Sequence, residues 1–179
     1  MKYSILFPVF LAQFFSACSD PGHDHSAHDS VGHDHGSVAA SAAPLEPVTV
    51  VDGVTVIQMT GNDRMKFNIE SFTVSAGGSV KLIFNNVGKM PKAAMGHNVV
   101  ILVADADPDA FVAASASARE NDYIPPGFDD QILVATKILG PGESDTIEFT
   151  APSEAGEYVY LCSFPAHMFA GMRGVMVVE

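Results

Sequence analysis

From Val48 onward the chain is a succession of short apolar and β-branched runs, and this pattern restricts the fold more than any other feature. The runs are Val54–Ile57, Phe72–Val74, Val80–Phe84, Val99–Val103, Ile132–Val134, Asp145–Phe149, Tyr158–Leu161 and Gly174–Val178. Turn signals close most of them: Ala76-Gly77-Gly78, Asn85-Asn86, Gly140-Pro141-Gly142 and Ala155-Gly156. β-branched side chains suit a pleated, half-buried surface, and Gly, Pro and Asn supply the dihedrals that reverse a chain. About eight such strands predict an all-β sandwich or barrel. A domain of roughly 130 residues buries about two-thirds of its unfolded surface, enough to be stable alone. One Ala-rich segment, Asp107 to Arg119, breaks the pattern. Its Asp-Pro start places a cap before a first-turn proline, so it predicts one short inserted helix. Residues 121–130, with Pro125-Pro126-Gly127, read as a loop returning to the sheet.

The chain before Val48 belongs to another class. Lys2, the apolar run Ile5–Phe15 and Ser16-Ala17-Cys18 form the basic, apolar and small-residue regions of a secretory signal. A Cys directly after Ser-Ala resembles a bacterial lipoprotein box, with Cys18 becoming the lipidated N-terminus; ordinary cleavage nearby is the other reading. The apolar run falls short of the ~20 residues that span a bilayer. Residues 18–47 are rich in Ser, Ala, Gly, Asp and His and poor in large apolar side chains, so they predict a disordered tether. The expected organisation is a lipoprotein-type signal peptide (1–17), a His-rich tether (18–47) and a folded domain (48–179). The expected location is the periplasm or the outer side of a bacterial membrane, with membrane attachment through the lipid. The excess of 21 Asp and Glu over 9 Lys and Arg excludes a nucleic-acid partner.

Chemistry concentrates in the last strand connection. Cys162, His167 and Met172 fall within eleven consecutive positions, and His97 stands 65 residues upstream beside the Val99–Val103 run. One Cys, two His and one Met is the ligand set of a mononuclear blue-copper electron-transfer site. Thiolate suits Cu(I), imidazole suits both oxidation states, and a weak axial thioether tunes the potential. Placing Cys162 at the end of a strand lets the sheet fix it, and Pro165 stiffens the loop. The imidazole of His167 is expected to show an edge to solvent as the point of electron entry. Met90, Met95 and Met168 stand as rival thioethers on composition. If Cys18 is lipidated, Cys162 is a lone thiol in an oxidising compartment, which a metal bond would protect.

Four segments carry a resemblance to cupredoxins of the azurin branch: Gly61–Asn68, Met90–Asn98, Ala135–Glu143 and Cys162–His167. The likeness extends from Thr55 to Glu179 and implies a Greek-key cupredoxin sandwich. It also implies His97, Cys162 and His167 as equatorial copper ligands, Met172 as axial ligand and the Gly96 carbonyl as a weak contact opposite it. Asn98 would tie the His97 segment to the Cys162 loop, and Phe164 would pack beside the site. This chain departs at the axial ligand: the fourth position after His167 is Gly171, and Met172 comes one later. That spacing resembles the auracyanins. The disulfide of azurins is absent, and Asn86 replaces a titrating histidine of some members. Redox proteins such as a cytochrome c, an oxidase or a reductase are the expected partners. They would dock on an apolar face around His167 made by Met90, Pro91, Met95, Phe164, Pro165, Met168 and Phe169.

The tether holds five histidines, His23, His25, His28, His33 and His35. With the intervening aspartates they read either as a secondary Cu(II) or Zn(II) site or as a solvated linker of biased composition. Two functions follow: an electron carrier that turns over no organic substrate, and a copper-storing or copper-delivering protein. A copper enzyme lacks parts, since every remaining histidine lies in the tether.

Overall fold

A computed structural model describes residues 46–179. The signal sequence, Cys18 and the tether histidines His23 to His35 lie outside the described residues. In chain order the strands are β1 (Val48–Val51), β2 (Val54–Asn62), β3 (Lys66–Phe67), β4 (Ser71–Val74), β5 (Ser79–Asn86), β6 (Val100–Leu102), β7 (Ile132–Ala135), β8 (Ser144–Thr150), β9 (Gly156–Leu161) and β10 (Arg173–Val178). They form two five-stranded sheets, one ordered β1-β2-β5-β8 with β3 on β2, the other β4-β10-β9-β6-β7. The β2–β5 and β4–β10 pairings are parallel and the rest antiparallel. The expected all-β sandwich is present.

Period-two alternation decides which side chains meet between the sheets. Ile57 and Met59 of β2 and Leu82 and Phe84 of β5 point inward with no exposed surface. From the other sheet come Phe72, Val74, Tyr158, Tyr160, Met176 and Val178. Each fully buried side chain of this size contributes about 1.5–3 kcal/mol relative to exposure. Tyr160 stacks on Phe72 with ring centroids 5.4 Å apart, and its hydroxyl donates to the Ile69 carbonyl at 2.6 Å.

The continuous apolar run Val99–Val103 has a simple cause: β6 is covered on both sides. Val99 and Ile101 face the central core, whereas Val100 and Leu102 join Leu161, Met168, Phe111 and Val112 in a second cluster. Phe111 and Val112 come from α2 (Pro108–Ser115), which lies inside the expected helical segment and is followed by a short helical turn at Arg119–Asn121. Asp107 caps α2 by accepting from the amides of Asp109 and Ala110 at 3.0 and 3.1 Å.

Two strands and the helical turns at Lys92–Met95, Arg119–Asn121 and Asp129–Gln131 go beyond the sequence reading. β1 joins β2 through Asp52-Gly53, whose φ values of 50° and 80° are those of a tight hairpin turn. β3 is only two residues long. The turn α1 (Lys92–Met95) precedes Gly96. His97 itself forms an isolated bridge with Leu139, and the strand expected over Val99–Val103 spans Val100–Leu102.

Candidate metal centre

Gly61 closes the buried face of β2, and at the same end of the sandwich lie His97, Cys162 and the loop from Ser163 to Met172. The Nδ1 atoms of His97 and His167 are 3.1 Å apart, and the Cys162 Sγ lies 4.0 Å from the first and 3.5 Å from the second. All three ligand atoms lie within 4.8 Å of one another, and all three residues are buried. Met172 is also fully buried. A Cβ built on Gly61 would sit 2.8 Å from the Met172 methyl and 3.3 Å from Cδ2 of the His97 ring, so the thioether end and that ring converge. His97, Cys162, His167 and Met172 are thus arranged as a type 1 copper site.

Backbone bonds hold the loop in this shape. The Cys162 amide donates to the Met172 carbonyl at 3.1 Å, and the Met172 amide donates to the His167 carbonyl at 2.9 Å. Ala166 and Gly171 both take left-handed conformations, with φ of 70° and 94°. At Gly171 the absence of a side chain permits this conformation, and an added Cβ would meet the Lys66 ammonium. The Lys66 ammonium, reaching over from β3, donates to the Ala170 carbonyl at 2.8 Å.

Asn98 fastens the two ligand-bearing segments together. Its Nδ2 donates to the Ser163 hydroxyl at 2.8 Å, and its Oδ1 accepts from the Ser163 amide at 2.9 Å. Both residues are fully buried. Because His97 precedes Asn98 and Cys162 precedes Ser163, this pair sets the spacing of two ligands. Thr136 adds a further tie, accepting from the Val99 amide at 2.9 Å.

Burial sets the electrostatics of the cluster. Burial pushes the Cys162 thiol up to about 12, although the backbone amides of Asn98 and Phe164 favour a thiolate. Burial also lowers His167 to about 4, with the neighbouring His97 adding to the effect, and lowers His97 as well. Both imidazoles are therefore neutral and able to donate a lone pair at neutral pH. The amides aimed at sulfur become effective once a metal charge offsets desolvation. The His97 Nε2 is buried with no partner in bonding geometry, and the Asn62 backbone favours protonation of the ring. An N–H at Nε2 leaves Nδ1 free to ligate. The donor set, its burial and its tautomer fit copper.

Several sequence expectations shift in detail. His167 has only 2 % exposure, so its ring is shielded; Phe164 covers it with ring centroids 4.6 Å apart. Met168 turns inward, 2 % exposed, into the cluster under α2, and is neither a rival ligand nor part of a surface patch. Met90 and Phe169 are exposed, at 42 % and 69 %, and Phe164 and Pro165 are half-buried. Gly96 is buried, and a Cβ there would strike the Lys92 carbonyl at 2.8 Å. Gly61, Asn62, Lys66 and Ser163 acquire roles that the sequence reading had not given them. Gly61 offered a signal, as a glycine inside a strand pattern often marks a close approach; Ser163 offered none.

The profile described as "Copper binding proteins, plastocyanin/azurin family" matches residues 54–179. The azurin-2 of Alcaligenes xylosoxydans xylosoxydans is 40% identical over 119 residues, covering 64% of this chain and 90% of that protein. The reduced auracyanin of the photosynthetic bacterium Roseiflexus castenholzii is similar in structure, with a TM-score of 0.58 and 32% identity over 73% of this chain and 99% of that one. An azurin isoform of Methylomonas sp. strain J gives a TM-score of 0.61 at 32% identity, covering 69% and 97%. Both kinds of neighbour agree with an azurin-like cupredoxin. With this site on this sandwich, the chain belongs to the plastocyanin/azurin family of copper-binding proteins and is a blue-copper electron-transfer protein.

Proposed function

We propose that this protein is a single-electron shuttle between redox proteins on the outer side of a bacterial membrane, with no organic substrate and no enzymatic turnover. The observation that carries the reading is the buried His97–Cys162–His167 cluster, held by bonds that need not rearrange. Bound copper supplies a one-electron Cu(II)/Cu(I) couple. His97, Cys162, His167 and Met172 would hold the metal, with the Gly96 carbonyl as a further weak donor. The Asn98–Ser163 pair and the backbone ties of the loop keep these ligands in one geometry, which lowers the reorganisation that slows electron transfer. Burial excludes water from the ligands.

Val87, Met90 and Phe169 are three of the five large apolar side chains most exposed in the domain, and all sit on connections beside the site. An apolar face next to a shielded redox centre suits brief docking of a partner such as a cytochrome c, an oxidase or a reductase. The Ser16-Ala17-Cys18 sequence supports a lipid anchor and a periplasmic or outer-surface location.

The alternative of copper storage or delivery makes the opposite demand, release of the metal. Voltammetry of the copper-loaded full chain tests this directly. The shuttle reading expects a reversible one-electron wave with copper retained when a Cu(I) chelator is present. Rapid transfer of the metal to the chelator on reduction would overturn it.

A further inference from the structure

The chain carries a formal charge of −12, which alone would repel anionic partners. Arg64, Lys66, Lys89, Arg119, Lys137 and Arg173 lie outside the ion pairs of the described residues. Arg64, Lys66 and Lys89 are exposed and flank the site face, and among the described residues none of them takes part in an ion pair. Lys66 is anchored there by its bond to the Ala170 carbonyl, next to the exposed Phe169. Arg64 and Lys89 are brought together by Asp63, whose carboxylate accepts from the amides of Lys89 and Met90 at 2.8 and 3.2 Å. That carboxylate is engaged by backbone donors, so it locks the loop carrying Met90 while leaving the Lys89 ammonium free. Lys92, 3.6 Å from Glu143, is partly neutralised.

We propose that Arg64, Lys66 and Lys89 form a basic rim around the apolar site face and select redox partners that are acidic around their own centre. The inference rests on the docking face assigned above and adds its charge class. A local positive rim on an acidic body orients an anionic partner, because at physiological salt the Debye length is about 8 Å and the nearest charges outweigh the distant ones. Such steering changes association rates by roughly 10- to 1,000-fold.

Hexacyanoferrate(III), an anionic one-electron oxidant, is the probe. The copper-loaded, reduced full chain gives it one electron, iron(III) becomes iron(II), and no bond is made or broken. The expected result is a rate constant that falls as ionic strength rises, against the sign set by the net charge. The Arg64→Gln/Lys66→Gln/Lys89→Gln variant should lose about tenfold at low ionic strength, and Lys89→Gln alone, which leaves the Lys66 strap intact, should lose part of that. In the copper-free protein, redox-inert hexacyanocobaltate should shift amide resonances of residues 64–66, 88–90 and 169–171. A wild-type rate that rises with ionic strength, with the triple variant within twofold, would overturn the proposal. Loss of binding to phosphatidylserine vesicles without any kinetic change would overturn it too, by assigning the rim to a membrane. Phe169→Asp separates the two readings: if it slows exchange with an acidic protein partner while the triple variant does not, the docking face stands and the basic rim falls.

Discussion

Replacing Asn98 by Ala probes how far the site depends on the protein rather than on the metal. The substitution removes the amide that bonds the Ser163 hydroxyl at 2.8 Å and the oxygen that accepts from the Ser163 amide at 2.9 Å. Ser163 has no exposed surface, so its N–H is left buried without an acceptor. Stranding such a donor costs about 1–3 kcal/mol, and the lost hydroxyl bond adds about 1 kcal/mol. The expected destabilisation of the copper-free protein is therefore roughly 3 kcal/mol. For a domain of this size that corresponds to a melting temperature lower by about 10 °C. Chemical denaturation and calorimetry of copper-free protein read this directly, free of the contribution from metal binding. A double-mutant cycle with Ser163→Ala should give a coupling of about 1 kcal/mol, since each change removes the same hydroxyl contact. Copper-loaded Asn98→Ala should also show a shifted charge-transfer spectrum, because His97 and Cys162 lose their shared spacer. A destabilisation under 0.5 kcal/mol, with no coupling, would refute the reasoning.

Other consequences are equally checkable. Gly61→Ala places a Cβ 2.8 Å from the Met172 methyl, so the thioether must move; overpacking of this kind costs about 1–3 kcal/mol. The visible and paramagnetic spectra of the loaded variant should change while the fold persists, and an unchanged spectrum would remove Met172 from the site. In the copper-free protein His167 sits at about 4 against 6.5 for an ordinary histidine, because burial and His97 disfavour its charged form. A base whose folded value is depressed contributes no penalty above pH 6.5 and destabilises the fold as pH falls from there toward 4. Unfolding followed across pH 7 to 4 should show a loss of at most about 3 kcal/mol from this group, largely removed in His167→Asn. With both imidazoles neutral at pH 7, copper should displace a single proton, from Cys162, measurable by titration calorimetry in buffers of different ionisation enthalpy.

How much of this was legible in the chain follows from what each feature depends on. The eight strands read from the sequence are all present because β-branched runs bounded by Gly and Asn encode pleat and turn locally. β1 was the avoidable omission: Asp52-Gly53 between Val-rich segments is a strong hairpin signal. β3 was not readable, since two residues carry no periodicity and its pairing is fixed by the turn at Met65, with φ of 55°. The ligands could be chosen by chemistry, as Cys, two His and Met form a set that few other functions use. Their support could not. Ser163 and Lys66 act through partners 65 and 104 residues distant, which only the tertiary fold brings together. The inward turn of Met168 likewise depends on α2 lying over β6, a contact that no local pattern announces.

The central claim is that His97, Cys162 and His167, with Met172, bind copper through a thiolate. Adding Cu(II) to the purified full chain and recording the visible spectrum tests it most directly. An intense thiolate-to-copper charge-transfer band at one equivalent, absent from Cys162→Ser, is the expected result. A colourless complex, or a band that survives in Cys162→Ser, would contradict it.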